Sequence, residues 1–338
     1  RLIEFCGGHT HVISRYGLEG ILPKNVRMIH GPGCPVCVMP IGRIDSAIEL
    51  ALEHGVILCT YADTMRVPAS KGLSLMKAKA QGGDIRMIYS AADCLDIARA
   101  NPDKNVVFFA IGFETTTPAT AVVLKQAKAE GLKNFFVFCN HVLTPPAMRH
   151  ILKNQEKVHI EGFVGPAHVS TIIGSEPYET FAKDYSKPVV IAGFEPLDML
   201  QSILMLIRQI NRGEAEVENE FTRAVRPEGN MKAIRMMEEV FALRDSFEWR
   251  GLGSAPKSAL KLSDAYSDFD AEKHFNLVYR SVPDNKACEC GAILRGEKQP
   301  SDCRAFGTVC TPESPIGSCM VSSEGACAAY FTYGRHKR

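Results

Sequence analysis

Short, continuous apolar runs alternate with helical stretches from the start of this 338-residue chain to about residue 212, and this alternation constrains the fold most strongly. The helical stretches, such as RIDSAIELALEHG and TPATAVVLKQAKAEG, often end at glycine or asparagine. Apolar strands joined by helices predict parallel sheets covered on both faces, so the predicted fold class is α/β. The apolar runs are VRMIH from residue 26, GVILCTY from 55, IRMIYS from 85, VVFFAIG from 106, FFVFC from 135, GFVGP from 162 and VVIAGF from 189.

Two pairs of similar segments indicate that the sheets come in two copies. IGFETTTPA from residue 111 matches AGFEPLDML from 192, and HGPGCPV from 30 matches VGPAHVS from 164. We therefore predict two similar parallel-sheet domains, at 1–103 and 104–212. Beyond them, NRGEAEVENE predicts a helix end or linker and NMKAIRMMEEVFAL an amphipathic helix. The predicted third region, 213–338, is a helical linker followed by a cysteine-rich C-terminal domain.

The chain contains twelve cysteines, and most of them cluster near its two ends. In a reducing cytosol, such clusters indicate metal ligation or redox chemistry rather than a disulfide framework. Three others lie within or beside apolar segments and are predicted to pack as small hydrophobic side chains: Cys59, Cys94 and Cys139. The C-terminal group consists of Cys288, Cys290, Cys303, Cys310, Cys319 and Cys327.

From residue 283 onward the chain is rich in Cys, Gly, Pro and polar residues and is predicted to be loop-like. Such a segment cannot bury much apolar surface, so we expect it to need a bound metal or cluster for order. Zinc ribbons normally supply their ligands as two C-x-x-C pairs, which this segment lacks. Iron–sulfur clusters tolerate more variable spacing of four thiolates, so a [4Fe–4S] cluster fits better. Spacing alone does not choose four of the six cysteines.

Three more cysteines lie in glycine-rich turns, in FCGGHTH from residue 5 and GPGCPVC from residue 31. Cys6 ends the predicted strand LIEFC, and the carboxyl end of a strand is the usual place for chemistry in an open parallel sheet. Cys34 and Cys37 form a C-x-x-C pair that can close a disulfide, ligate a metal or act as a two-electron dithiol. His9 is a candidate to orient or protonate a ligand on Cys6.

Other polar groups at predicted strand ends have two interpretations. Glu114 and Glu195 each stand in a Gly-Phe-Glu segment, where they either serve the chemistry of a cleft or cap the following helix. His141 and His168 also lie near predicted strand ends, where lone histidines are more often structural, hydrogen-bonded groups. The threonines at 115–117 offer hydroxyls at a helix start, but without a P-loop pattern they predict no nucleotide site.

Charge and hydropathy exclude several classes of partner. The chain has 39 basic and 38 acidic residues and a formal net charge of +1. It therefore lacks the excess of positive charge that usually attracts nucleic acids. No apolar run reaches the ~18 residues of a membrane-spanning helix, and the first residues lack the pattern of a secretory signal. We therefore expect a cytoplasmic protein with no nucleic-acid or membrane partner.

Eight segments follow the order of one known family: FCGGHTH, HGPGCPVCV, MRVP, GFETTTP, GPAHVS, AGFEPLD, EWRGLG and MVSSEGACAAY. Over essentially its whole length the chain resembles the HypD family, the [NiFe]-hydrogenase maturation factors. The resemblance implies a scaffold on which the iron of the hydrogenase active site receives two cyanides and one carbon monoxide. It implies a metallocentre-assembly protein with redox activity rather than a conventional turnover enzyme.

The resemblance also assigns residues. It implies that Cys6 holds the iron together with a cysteine of a small HypC-type chaperone. It implies that Cys34 and Cys37 are the family's redox-active pair, and that Glu114 and Glu195 lie in motifs lining an inter-domain cleft. The positions matching the family's [4Fe–4S] ligands are Cys290, Cys303, Cys310 and Cys327, whereas Cys288 and Cys319 are extras of this sequence. HypE is the further implied partner, with HypF as the source of cyanide.

Three functions from different classes therefore stand side by side. An assembly scaffold with a redox cluster uses every cysteine motif. An autonomous cluster-linked thiol–disulfide reductase uses the cluster and the dithiol but leaves Cys6 without a task. A binding module with zinc in the C-terminal region is disfavoured by the irregular thiol spacing.

Overall fold

The fold is built around two parallel sheets. The structure is a computed structural model and describes residues 1–154 and 158–334. The strands are β1 (Leu2–Glu4), β2 (Met28–His30), β3 (Ile57–Thr60), β4 (Ile85–Met87), β5 (Val106–Gly112), β6 (Phe135–His141), β7 (Gly162–Pro166), β8 (Val189–Ala192), β9 (Val217–Asn219), β10 (Phe241–Leu243), β11 (Ser246–Trp249), β12 (Gly253–Pro256) and β13 (Leu260–Leu262). Each apolar run predicted as a strand contains one.

Helices follow most of the strands of these sheets. They are α1 (Gly7–Arg15), α2 (Ile41–Leu52), α3 (Leu75–Ala80), α4 (Asp93–Ala100), α5 (Thr117–Glu130), α6 (Thr144–Lys153), α7 (Ala167–Ile173), α8 (Glu179–Tyr185), α9 (Pro196–Arg212), α10 (Met231–Val240), α11 (Ala271–His274), α12 (Cys290–Leu294) and α13 (Ala326–Ala329). The alternation of strand and helix confirms the predicted α/β class. In the described part of the chain, no helix combines the length and apolarity needed to cross a membrane.

The two sheets share one strand order. The first sheet runs β2-β1-β7-β8-β9 and the second runs β4-β3-β5-β6, with all neighbours parallel. Counted by its own strands, each sheet has the order 2-1-3-4, and the first adds a fifth strand at its edge. In such sheets the connections run in opposite directions on either side of the first strand, which opens a crevice at the carboxyl ends of the first and third strands. Here these are β1 and β7 in the first sheet, and β3 and β5 in the second.

Strand pairing runs across the predicted division at residue 103. The segment 1–103 supplies β1 and β2 to the first sheet and β3 and β4 to the second, and the segment 104–212 likewise contributes to both. The central strand β1 requires this arrangement, because Leu2 lies between Met28 on one side and Gly162 on the other. The charged segment NRGEAEVENE, predicted as a helix end or linker, also contains the edge strand β9. The second sheet is therefore inserted between two parts of the first.

The central strands of the second sheet carry apolar side chains on both faces. Every residue of β5 and β6 is buried. On one face the rings of Phe109 and Phe138 lie 5.5 Å apart, and on the other Phe108 lies 5.8 Å from Tyr61. Burying such a side chain contributes roughly 1.5–3 kcal/mol. The double-sided burial explains why these strands are continuous apolar runs in the sequence.

The C-terminal region differs from both sheets. Beyond residue 283 the described chain forms turns and short helices, of which α12 has five residues and α13 four. Several of its cysteines belong to the buried cluster that also contains Trp249. We call residues 283–334 the cysteine tail.

Candidate functional site

A cleft of about 610 Å³ lies between the carboxyl ends of the two sheets. The first sheet lines it with Cys6 after β1 and His168 after β7, and the second with Tyr61 after β3 and Thr115 after β5. The cysteine tail lines it with 322–324. The crevices expected from the two strand orders therefore open into one shared space.

Cys6 is the N-cap residue of α1 and is 6% exposed at the wall of this cleft. The backbone N–H groups of Gly8 and His9 are directed at its sulfur. Burial, aided by the nearby carboxylates of Glu4 and Glu324, raises the pKa of the Cys6 thiol to about 12, although the two N–H groups act to lower it. The isolated thiol is therefore neutral at physiological pH, and a bound cation would favour its thiolate form.

The carboxylate of Glu4, which is fully buried, holds this loop in place. It accepts the N–H of Cys6 at 2.8 Å, the hydroxyl of Thr10, and Nδ1 of His30 at 2.9 Å. Burial alone would lower the pKa of His30, but the hydrogen bond and charge of Glu4 raise it above its ordinary value. Because His30 precedes GPGCPVC, one carboxylate joins the Cys6 loop to the loop that carries the dithiol.

Glycine allows these two loops to touch. The Gly7 N–H donates to the Gly33 carbonyl at 3.1 Å, and a Cβ on Gly33 would lie 2.6 Å from the Cα of Cys6. A side chain on Gly7 would overlap that of Glu324 from the cysteine tail. The glycines of FCGG and GPG are thus explained by close approach of three chain segments at the cleft.

The structure places His168 rather than His9 beside the Cys6 sulfur. His168 Nδ1 lies 3.7 Å from Cys6 Sγ and burial lowers the pKa of this histidine. His9 instead donates from Nε2 to the Ala192 carbonyl at 2.8 Å, and its Nδ1 has no hydrogen-bond partner among the described residues. Phe194 packs between the two rings, 5.1 Å from His9 and 4.0 Å from His168. His9 therefore contacts the Ala192 carbonyl and Phe194 rather than the Cys6 sulfur.

The two glutamates of the Gly-Phe-Glu segments do not line the cleft. Glu114 is buried, and its carboxylate accepts the N–H and the hydroxyl of Thr144 at 2.8 and 3.0 Å, so it caps α6 rather than the helix that follows it. Burial raises its pKa to about 7. Glu195 caps α9 in a reciprocal arrangement with Asp198. His141 bonds Thr120 at 2.8 Å, in line with its predicted structural role.

The dithiol of Cys34 and Cys37 lies just behind the cleft wall, and both residues are buried. The Cys37 N–H donates to Cys34 Sγ at 3.3 Å. Burial, together with hydrogen bonds to Cys319 and Cys34, raises the pKa of Cys37 well above its ordinary value. Ser318 donates its hydroxyl to the Cys37 carbonyl at 2.5 Å. The dithiol is thus in direct contact with the cysteine tail.

Cys319 lies at the centre of the tail thiols. Hydrogen bonds from the thiols of Cys290, Cys327 and Cys37 hold its pKa well below the ordinary value. Cys288 is hydrogen-bonded to Cys290. Cys319, one of the two cysteines that the family resemblance marks as extras, is therefore in the middle of the group, and Cys288, the other, lies next to Cys290.

The remaining tail cysteines are on the periphery of this group. Cys310 accepts the Ile316 N–H at 3.4 Å, and burial, together with the nearby Cys290 and Cys288, raises its pKa. Cys303 lies near the carboxylate of Glu289. All four positions expected to ligate a cluster thus lie in the tail, with Cys290 and Cys327 in direct thiol contact and Cys303 farther out.

The donor set of the tail fits an iron–sulfur cluster. The donors are thiols, and Gly317 forms a cradle that a side chain would fill, since its Cβ would lie 2.5 Å from Cys290 Sγ and closer still to Cys288 Sγ. In 1–154 and 158–334, no group of three or more His, Cys, Asp or Glu side chains has the arrangement of a single-ion site. A cluster differs from a single ion because its thiolates bind separate irons.

Comparison with known proteins decides the family. The family model HypD, described as the hydrogenase formation hypA family, matches residues 1–334. The chain belongs to the HypD family. The hydrogenase maturation factor HypD of Cupriavidus necator is 66% identical to it, over 99% of this chain and 90% of that relative. The HypD proteins of Azotobacter vinelandii and Escherichia coli K12 are 62% and 47% identical, over 100% and 98% of this chain and 90% and 89% of the relatives.

From the sequence, His168 was interpreted as a structural histidine, and Glu324 was not singled out, although both line the site. His168 meets Cys6 across 162 residues of chain, which no local pattern reports. Its only early signal was its place in GPAHVS, after a predicted strand. Glu324 lies in the tail motif MVSSEGACAAY, close to Cys327. That motif was interpreted through its cysteine, and its glutamate was given no role.

Proposed function

We propose that this member of the HypD family acts in hydrogenase maturation as a scaffold for the Fe(CN)2CO centre. Iron, the cargo, is held at Cys6 together with the cysteine of a HypC-type chaperone. HypE delivers cyanide made with HypF. Relatives that are named hydrogenase maturation factors and match nearly the full chain support the general role. The geometry of the cleft supports the detailed one.

One observation carries the proposal: of the described residues that line the cleft, Cys6 is the one cysteine, and it stands at the carboxyl ends of β1 and β7. Low-spin iron(II) carrying cyanide and carbon monoxide is soft, which suits thiolate ligation. With a volume of about 610 Å³, the cleft has room for a partner's thiol and for small diatomic ligands. A reductase acting on disulfides would need no such lone thiol.

The residues around Cys6 have defined tasks in this proposal. The thiol loses its proton when it binds iron, and neutral His168, 3.7 Å away, is placed to accept that proton through Nδ1. The N–H groups of Gly8 and His9 stabilise the negative charge that develops on sulfur. Glu4 fixes the backbone of Cys6 and so the direction of its side chain.

The dithiol and the tail supply the redox part. The tail thiols that would hold a [4Fe–4S] cluster are drawn from Cys290, Cys303, Cys310 and Cys327 together with the central Cys319, and such a cluster would supply one-electron redox chemistry. Oxidising Cys34 and Cys37 to a disulfide releases two electrons and two protons, and reduction takes them up again. The contact between Cys37 and Cys319 gives these electrons a short path between tail and cleft.

Cyanide retention in a Cys6→Ala variant tests the scaffold. We expect the cyanide and carbon monoxide infrared bands of anaerobically purified protein to disappear in this variant, while acid-labile sulfide stays unchanged. Cys59→Ala, which removes a buried thiol in the middle of β3, is the matched control and should keep both. Persistence of the cyanide bands without Cys6 would refute the proposal.

The alternative is an autonomous cluster-linked thiol–disulfide reductase. The contact of Cys37 with the tail favours it, but both dithiol sulfurs are buried, which prevents a bulky disulfide substrate from reaching them directly. The reductase function predicts turnover of a small disulfide without a partner protein, at a rate that Cys6→Ala does not change. Measuring zinc alongside iron and sulfide tests the third function, since zinc without sulfide would make the tail structural.

A further inference from the structure

Two family motifs remain without a task in the proposed function, and the fold brings them together. MRVP contains Arg66, and EWRGLG contains Arg250. These arginines are far apart in the sequence and both line a second cavity of about 560 Å³, distinct from the cleft. Its size lies within the usual range of small-molecule sites.

The second cavity is strongly basic. Lys71 and Lys77 line it together with Arg66 and Arg250, whereas Glu313 is the one acidic residue among the described residues of its lining. Arg250 is only 4% exposed. Including Asp284, which pairs with Arg250, four cationic side chains stand against two carboxylates, and a concave site with this surplus of positive charge favours an anionic occupant.

The two guanidinium groups are held in fixed positions. Arg66 donates to the carbonyls of Pro312 and Val321 at 3.1 and 2.6 Å. Arg250 pairs with Asp284 at 2.6 Å and donates to the Pro68 carbonyl at 3.1 Å. A guanidinium has five N–H donors, so each arginine has donors left for a ligand. Fixed planar donors of this kind match the geometry of phosphate-type oxyanions.

We propose that this second cavity binds a small anionic molecule through a phosphate-type oxyanion, with Arg66 and Arg250 as the fixed donors and Lys71 and Lys77 as additional cations. The volume exceeds what one phosphate fills, so the occupant is a diphosphate or a phosphate ester. The site is independent of iron at Cys6.

Binding there would tie the cysteine tail to the second sheet. One wall comes from 66–77, between β3 and β4, and the other from tail residues 283, 285 and 313–316. The tail wall includes Ile316, whose N–H bonds Cys310 Sγ. A ligand that binds only the folded site stabilises the walls it joins.

Calorimetric titration with pyrophosphate tests the proposal, using the full chain purified anaerobically. We expect saturable binding that Lys71→Ala/Lys77→Ala weakens about tenfold, because two cations are lost. Glu313→Gln should strengthen it about two- to threefold by removing the opposing charge. Lys183→Ala removes an exposed lysine on α8 and should leave binding unchanged.

Hydrogen exchange gives a second readout. Pyrophosphate should slow exchange in 313–316 of the wild-type protein but not of the double lysine variant. The proposal is overturned if wild-type protein shows no saturable heat, if the double variant binds as tightly as wild type, or if Glu313→Gln leaves affinity unchanged. Equal competition by chloride at the same ionic strength would also overturn it, because simple screening would then account for the heat.

Discussion

The two cysteine sites of this protein are built in opposite ways. Cys6 stands between a central strand and a nine-residue helix, and a buried carboxylate fixes its backbone. The tail thiols stand on turns and on helices of four and five residues. The sheet site is preorganised by the packing around it, whereas the tail has little regular structure to hold its thiols in place. In the function proposed above, Cys6 would therefore receive its ligand in a site that is already formed, and the cluster held by the tail thiols would complete the folding of the tail.

The largest expected effect falls on the tail. We predict that Cys319→Ala lowers acid-labile sulfide to background and speeds hydrogen exchange throughout the cysteine tail, because Cys319 contacts the thiols of Cys37, Cys290 and Cys327. Exchange in β5 and β6 should stay slow. Cys94→Ala removes an equally buried thiol from α4 and should change neither quantity. Full sulfide content in Cys319→Ala would contradict the view that a cluster held around Cys319 orders the tail.

The next effect falls on the sheet site. Glu4→Gln should lower the free energy of unfolding by about 3–4 kcal/mol, because it leaves the raised-pKa imidazole of His30 buried without its anionic partner. Denaturation by urea, followed by circular dichroism, measures the loss. Glu179→Gln breaks an exposed pair with Lys183 and should cost less than about 0.5 kcal/mol. Similar losses in the two variants would contradict the view that a buried carboxylate organises Cys6.

A pH test probes the second sheet. Because the pKa of Glu114 is raised from 4.5 to about 7, the folded state binds more protons than the unfolded state between these values. The contribution of Glu114 to stability is therefore present below pH 4.5 and is lost as pH rises from 4.5 through 7, by roughly 3 kcal/mol. In Glu114→Gln the unfolding free energy should lose this slope. An unchanged slope would show that other groups cause it.

The smallest expected effect concerns the start of α9. Glu195→Ala removes the cap that is reciprocal with Asp198 and should cost about 1 kcal/mol in urea denaturation. Infrared bands of bound cyanide should keep their positions, since Glu195 does not line the cleft. A shift of these bands would restore the interpretation in which this residue serves the chemistry.

The framework was predictable because its sequence signal is local. Residues such as Phe108 and Phe109 make a strand apolar on both faces, and that pattern is read directly from the chain. The site was predictable only in part. Cys6 could be placed at a strand end, but the order of strands that sets His168 beside it depends on pairing between distant segments. Glu4 was overlooked because a charged residue inside an apolar strand gives no hint of its three donors.

The tail was the least predictable region. Its composition indicated that its cysteines gather around a bound group, but turns have no period from which a register can be read. The central position of Cys319 and its contact with Cys37 therefore emerge only in three dimensions. Family resemblance assigned Cys290, Cys303, Cys310 and Cys327 as ligands, and which four thiols bind remains a prediction.

The insertion of one sheet within the other has a consequence for synthesis on the ribosome. Cys6 is translated well before its partners in the first sheet, because His9 bonds a carbonyl 183 residues later in the chain, and β1 pairs with β7. At about 5–20 residues per second, that partner emerges roughly 10–40 s afterwards. Meanwhile β3 to β6, which are consecutive, can complete the second sheet. During this interval the Cys6 thiol stands on an unfolded segment. Cellular oxidants, metals and other proteins can then reach it without the restriction that the folded cleft imposes.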